Sequence, residues 1–265
     1  MRNQLVRCAA AGLACLMVTG CITAQMADET PLSPEQRMIK LAGDIEARGD
    51  HETAVALYAR AAETSGHAAE AQLRLGHAQL KARNYAAASE AFAKVLATEP
   101  EHPEALLGLG TAKLKSGDNE GSVRTLSVAC PLVNTSSACN RLGTALILVG
   151  RLDEASAAFD RAQSLAPNDL DIKVNIALVQ ALSGRTNEAV TIMRNVAQSP
   201  LAQARHRANL VMVLGIAGRL DEAKSVTVPD MSQAQKQDLL ARAKRAREAT
   251  NPVAKARAIG LFGAA

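Results

Sequence analysis

The chain repeats itself every 34 residues. The phrase GRLDEA at 150–155 returns at 218–223, and a near copy, GRTNEA, stands between them at 184–189. Laid out at that step the sequence yields six units, with one residue lost between the third and the fourth. A unit this short cannot enclose a core of its own. A fixed period of this length therefore predicts a stack in which each unit buries its apolar face against its neighbours.

Each unit reads as two helices, A and B. Helix A carries a small residue early, at Ala42, Gly76, Gly110, Gly143 and Ala177; the sixth unit departs with Val211. Helix B carries Ala54, Ala88, Ser122, Ala155, Ala189 and Ala223 at a second small slot. Four residues later stand Tyr58, Phe92, Leu126, Phe159 and Met193. Small residues in both helices let a pair pack at the short end of the usual interaxial distance. Gly49, Gly117, Gly150, Gly184 and Gly218 close the A helices, where a left-handed residue is favoured. Asp153 and Glu154 then fall in the first turn of the next helix and suit its positive end. GRLDEA is thus read as a corner.

This pattern resembles the tetratricopeptide repeat (TPR), with Pro100 and Pro167 closing units two and four. The resemblance implies an all-α superhelix of about six helix pairs, the last incomplete. With two Tyr, three Phe and no Trp, the cores are leaner than the family's. The array is assigned to 35–228. Pro229 breaks the last helix B, and MSQAQKQDLLARAKRAREA places a C-terminal capping helix at 229–249, with Ser232 as N-cap and Leu239, Leu240 and Ala243 covering the last repeat. Arg242, Lys244, Arg245 and Arg247 are read as a solvated face, with lipid contact as the alternative. Residues 250–265 are expected to be a disordered tail.

The amino-terminal residues carry Arg2 and Arg7 ahead of the apolar run CAAAGLACLMV, which is too short to span a bilayer as a helix. VTGC at 18–21 resembles the lipobox of bacterial lipoproteins. The resemblance makes residues 1–20 a signal peptide, Cys21 the acylated residue and 21–34 a tether. A plain signal peptide cut after Ala24 is the alternative. Ile22 follows the cysteine, and the family's sorting rule then implies the outer membrane. Arg2 and Arg7 supply half of the formal net charge of +4, so the remaining surplus gives no argument for nucleic acid.

Catalytic and metal chemistry find no support. The five histidines are dispersed, no Ser/His/Asp arrangement stands in context, and GLGTAKLKSG lacks the ending of a phosphate loop. The expectation is no catalytic residue, no metal, no cofactor and no small-molecule substrate. Cys130 and Cys139 either close a disulfide across the join of units three and four or lie buried as small apolar residues.

In the TPR family three slots of helix A, spaced four and then three apart, face the groove. Here they hold Leu73, His77 and Leu80; Leu107, Thr111 and Leu114; Asn140, Thr144 and Ile147; and Val174, Leu178 and Ala181. The groove is mostly apolar and unlike the Lys- and Asn-lined carboxylate clamp of chaperone-binding members. An apolar helix or strand of a protein partner fits it. Burial of the same residues against neighbouring repeats or the C-terminal segment is the alternative.

The exported part resembles one group in particular, the TadD-type TPR lipoproteins of the tight-adherence (Tad/Flp) pilus machinery. The resemblance is carried by Cys21, by NIALVQALSGRTNEAV and RHRANLVMVLGIAGRLDEAKS, and by the closing DMSQAQKQDLLARAKRA. It implies a membrane-anchored scaffold assisting secretin assembly or localisation. A general periplasmic TPR adaptor in cell-envelope or cell-wall assembly and an inert spacer lipoprotein are the other two readings.

Overall fold

The computed structural model describes residues 31–64 and 68–260. Among them stand fourteen helices and no strand, and the compact body runs from Ser33 onward. Six pairs follow one another: α1 (Pro34–Ala47) with α2 (His51–Ala62), α3 (Ala68–Lys81) with α4 (Tyr85–Thr98), and α5 (Pro103–Ser116) with α6 (Asn119–Val133). Then come α7 (Ser136–Leu148) with α8 (Leu152–Leu165), α9 (Leu170–Leu182) with α10 (Thr186–Gln198), and α11 (Ala204–Ile216) with the short α12 (Leu220–Ser225). Two more helices, α13 (Gln233–Glu248) and α14 (Pro252–Ala258), complete the described chain. From α1 to α12 each helix packs on the next, and the odd-numbered helices α1 to α11 also touch one another in order. That second set of contacts lines the A helices along one surface, as in a TPR solenoid.

The corners are built as the sequence predicts. Gly49, Gly117, Gly150, Gly184 and Gly218 all sit at positive φ, between 78° and 91°. Unit two has Arg83 in the same place at φ 61°, where a Cβ costs about 1–2 kcal/mol. In GRLDEA the Arg151 guanidinium grips Glu154 through two hydrogen bonds of 2.6 and 2.5 Å. The N-cap arginine thus docks on the third residue of its own helix, where no side-chain oxygen caps the backbone.

The seam between A and B helices sets the packing. Phe92 of α4 is fully buried between two bare backbones. A Cβ on Gly76 of α3 would fall 2.7 Å from its ring, and one on Gly108 of α5 would fall 2.4 Å from it. Gly143 meets Phe159 and Gly110 meets Leu126 in the same way. Ser122, in an alanine slot, donates to the Gly110 carbonyl at 2.9 Å and so is satisfied while buried. Val211 of unit six is tolerated because α12 ends at Ser225, before the position from which a large side chain would press on it.

The third join between units is the tightest of them. Only Asn134 and Thr135 separate α6 from α7, and Asn134 adopts a left-handed φ of 49°. Cys130 and Cys139 are bonded across this join, with their Cα atoms 4.8 Å apart. Both are also buried. The residue lost from the register is lost here, in the shortest of the connections that lead from a B helix to the next A helix. The buried apolar residues form three clusters. One lies within α1 to α3, a second is centred on Phe92 between α4 and α5, and the large third runs from Leu106 to Ile259.

After the array, α13 opens on Ser232 with a reciprocal capping box to Gln235. It covers α11 as expected: Ala243 and Ala246 are fully buried, and Ala243 sits on Gly215. Two expectations are corrected. Residues 250–260 are not structureless, because Asn251 caps α14 and Pro252 occupies its first turn; 261–265 lie outside the described residues. Nor is the basic face of α13 wholly solvated, since Arg242 folds onto the end of α14 and donates to the Ile259 carbonyl. The seam yields a test: Gly108→Ala should lower the unfolding free energy by about 1–3 kcal/mol through overpacking against Phe92, read from urea denaturation. An unchanged midpoint would show that the ring has room to give.

Candidate functional site

The surface lined by the A helices gathers the twelve groove-slot residues, yet it does not treat them alike. On α3 and α5, Leu73, His77, Leu80, Leu107, Thr111 and Leu114 are all half-buried. Leu73 and Leu80 rest on the Phe92 cluster, Leu107 and Leu114 on the large one. On α9, Val174 and Leu178 are buried, and Ile147 at the end of α7 is 2% exposed. The two readings of the groove therefore divide along the array. Units two and three keep an accessible apolar strip, whereas in units four and five the apolar slots Ile147, Val174, Leu178 and Ala181 are buried and only the polar Asn140 and Thr144 stay half-buried, with α11 beside α9 and α14 against both α7 and α9.

Polar groups tie the strip together. His77 Nε2 lies 2.8 Å from Glu104 Oε1, and its ring meets Phe92 edge-on at 5.1 Å. Thr111 donates to the Leu107 carbonyl and accepts from Arg141 Nη1 at 3.2 Å. Asn175 donates to Asn140 across to the next A helix at 2.8 Å, while Thr144 turns its hydroxyl onto the Asn140 carbonyl. Arg141 and Asn175 were not among the expected groove residues. Each directly follows the first groove slot of its helix, and that adjacency is the signal that could have found them. Burial lowers the pKa of Arg141, and no carboxylate among the described residues pairs with it. It offers guanidinium N–H donors at the edge of the leucine strip.

A second polar cluster joins α9 to α11. Arg205 Nη2 reaches Asp171 at 2.8 Å and its Nε at 3.1 Å. The buried His206 accepts from the Gln203 N–H at Nδ1, the tautomer whose Nε2–H donates to Asp171 at 2.9 Å. The Arg205 hydrogen bond holds the Asp171 carboxyl below its ordinary value, with His206 adding to the effect and burial opposing it. This is a staple between successive repeats. Near it, a cleft of about 570 Å3 opens between α11 and α13, lined by Ala208, Met231, Leu239 and Arg242 among others. Among the described residues no three His, Cys, Asp or Glu side chains come together as metal ligands. Cys21 lies outside the described residues.

Comparison with known proteins agrees with this geometry. Residues 73–136 and 136–169 match the tetratricopeptide repeat. The chain is 28% identical over 133 residues to BBSome complex member BBS4 of Bos taurus, covering 50% of this chain and 26% of that one. It thus spans about a quarter of that curated relative. A tetratricopeptide repeat protein from Parabacteroides merdae superposes with a TM-score of 0.69 at 14% identity, over 86% of this chain and 90% of that chain. MamA from Desulfovibrio magneticus gives a TM-score of 0.58 at 19% identity, over 61% and 92%. YrrB, described as a TPR protein with an unusual peptide-binding site, gives 0.53 at 25% identity, over 59% and 81%. The chain therefore carries TPR repeats in a TPR solenoid, the fold of protein-interaction scaffolds.

Removing the staple has a defined consequence. Asp171→Ala leaves the buried His206 N–H without its acceptor and should cost about 1–3 kcal/mol, whereas Arg205→Ala, at a side chain 56% exposed, should cost far less. Because the carboxyl pKa is depressed on folding, its contribution is complete above the unfolded value of 3.8 and is lost as pH falls through the lower folded value. Thermal melts of the two variants at neutral and acid pH measure both effects.

Proposed function

We propose that this protein is a non-enzymatic scaffold that holds an apolar segment of a protein partner on the A-helix surface of units two and three. One observation carries the reading: Leu73, Leu80, Leu107 and Leu114 form a half-buried strip on two adjacent helices. An apolar strip left partly accessible in this way, rimmed by polar groups, marks an interaction site. Arg141 beside it supplies donors for a carbonyl or carboxylate of the bound segment. The peptide-binding site described for YrrB, a similar fold, supports this mode.

The setting we propose is the envelope. The lipobox-like VTGC makes Cys21 a lipid anchor, with the array facing the periplasm from the outer membrane. A soluble periplasmic protein is the alternative. Three acyl chains bind firmly, whereas one chain gives only marginal attachment. The partner is then a secretin or another component of a Tad/Flp-type pilus, and the protein acts as a pilotin does. A general periplasmic TPR adaptor in cell-envelope or cell-wall assembly is the second reading; cross-linking in cells distinguishes the two by the protein captured.

Changing Leu80 and Leu114 together to Glu should abolish partner capture from membranes while the helical circular dichroism stays unchanged. Undiminished capture would remove the strip from consideration. Cys21→Ser should shift the protein from the membrane to the soluble fraction, and a variant that remains in the membrane would overturn the lipid anchor.

A further inference from the structure

The last described helix returns along the array. α14 is seven residues long, and its contacts are with α13 and with the A helices α7 and α9, the latter beginning two units back. Three residues join it to α13. Val253 lies over the unit-four corner, where a Cβ on Gly150 would come 3.0 Å from its Cγ2. Ala256 is fully buried and Ile259 nearly so. These three stand three residues apart and share one face, as the anchors of a helix laid in a groove do. Lys255 Nζ donates to the Leu182 carbonyl at 3.1 Å. Leu182 ends α9, so its carbonyl belongs to the last turn, which lacks intrahelical donors and forms the negative end of that helix.

α14 therefore lies over the carboxyl-terminal ends of the unit-four and unit-five A helices, at Gly150 and Leu182, while no helix of the chain's end lies against α3 or α5. A helix of two turns does not hold itself together without its docking contacts. Its three-residue joint lets it leave while α13, which has its own capping box and its own buried alanines, stays in place. We infer that the surface of α7 and α9 is a second docking site whose resident occupant is α14. The ligand that displaces α14 is a short helix of the same chemistry: aliphatic at three positions spaced by three, with a cation beside the small central residue to take the Leu182 carbonyl. This site is independent of the leucine strip and of the partner bound there.

The experiment uses the full chain. Ala256→Glu places a charge where no water reaches and should release α14, seen as faster amide hydrogen exchange over 252–259 with α11 and α13 unchanged. A labelled peptide of residues 251–260 should then bind the variant at least about tenfold more tightly than the unaltered chain, because resident α14 reduces the competent fraction. The same peptide with Lys255 and Ile259 both changed to Asp should not bind. If Ala256→Glu disturbs α11, the pair Lys255→Ala with Ile259→Ser releases α14 more gently and is read in the same way. Failure of the peptide to bind a chain whose α14 is released overturns the proposal. So does an unaltered chain in which α14 exchanges only together with α13. Either result leaves the strip on α3 and α5 untouched, since capture through Leu80 and Leu114 is measured separately.

Discussion

Everything in this array depends on how closely a B helix can approach an A helix. Phe92 fits between α3 and α5 only because Gly76 and Gly108 present backbone and no side chain, and Phe159 and Leu126 rest on Gly143 and Gly110 in the same manner. One large side chain per unit then suffices to fill the space between helices, provided the rest are small. That is why a chain so rich in alanine and so poor in aromatic residues still buries an apolar core along its seams. The glycine corner serves the same end, returning the chain at once so that α and next α stay within reach of each other's backbones.

The repeat made most of this legible. Its small slots, its large residue four positions further on and its left-handed corners are local properties, dictated by residues a few positions apart. Even the departures have local causes, Ser122 bonding the Gly110 carbonyl and Val211 facing a helix that stops short. What the sequence concealed depends on contacts made far along the chain. α14 had its punctuation in Asn251 and Pro252, but seven residues show no convincing period, and the contact that orders it is a lysine reaching a carbonyl 73 residues away. The groove was legible as slots and not as a surface, because whether a slot is open depends on how the neighbouring helices pack against it. Arg141 escaped notice for another reason: it borders the expected slots and does not occupy one.

The A-helix surface is consequently divided by composition and by occupancy. On α3 and α5 it is a leucine strip edged by Thr111, Arg141 and the His77–Glu104 pair. On α7 and α9 its apolar slots are buried, and the chain's own α14 lies against the carboxyl-terminal ends of both helices. Successive A helices are joined by staples such as Asn175 to Asn140 and His206 to Asp171.

The three separate apolar clusters have a mechanical consequence. In a stacked array stability is approximately the sum of units and the interfaces between them, and here the interfaces differ in size along the chain. A load applied at the amino-terminal end meets the two small clusters first. Those units yield one after another while the block from Leu106 onward holds, so the molecule lengthens in steps under tension like a spring wound tighter at its far end.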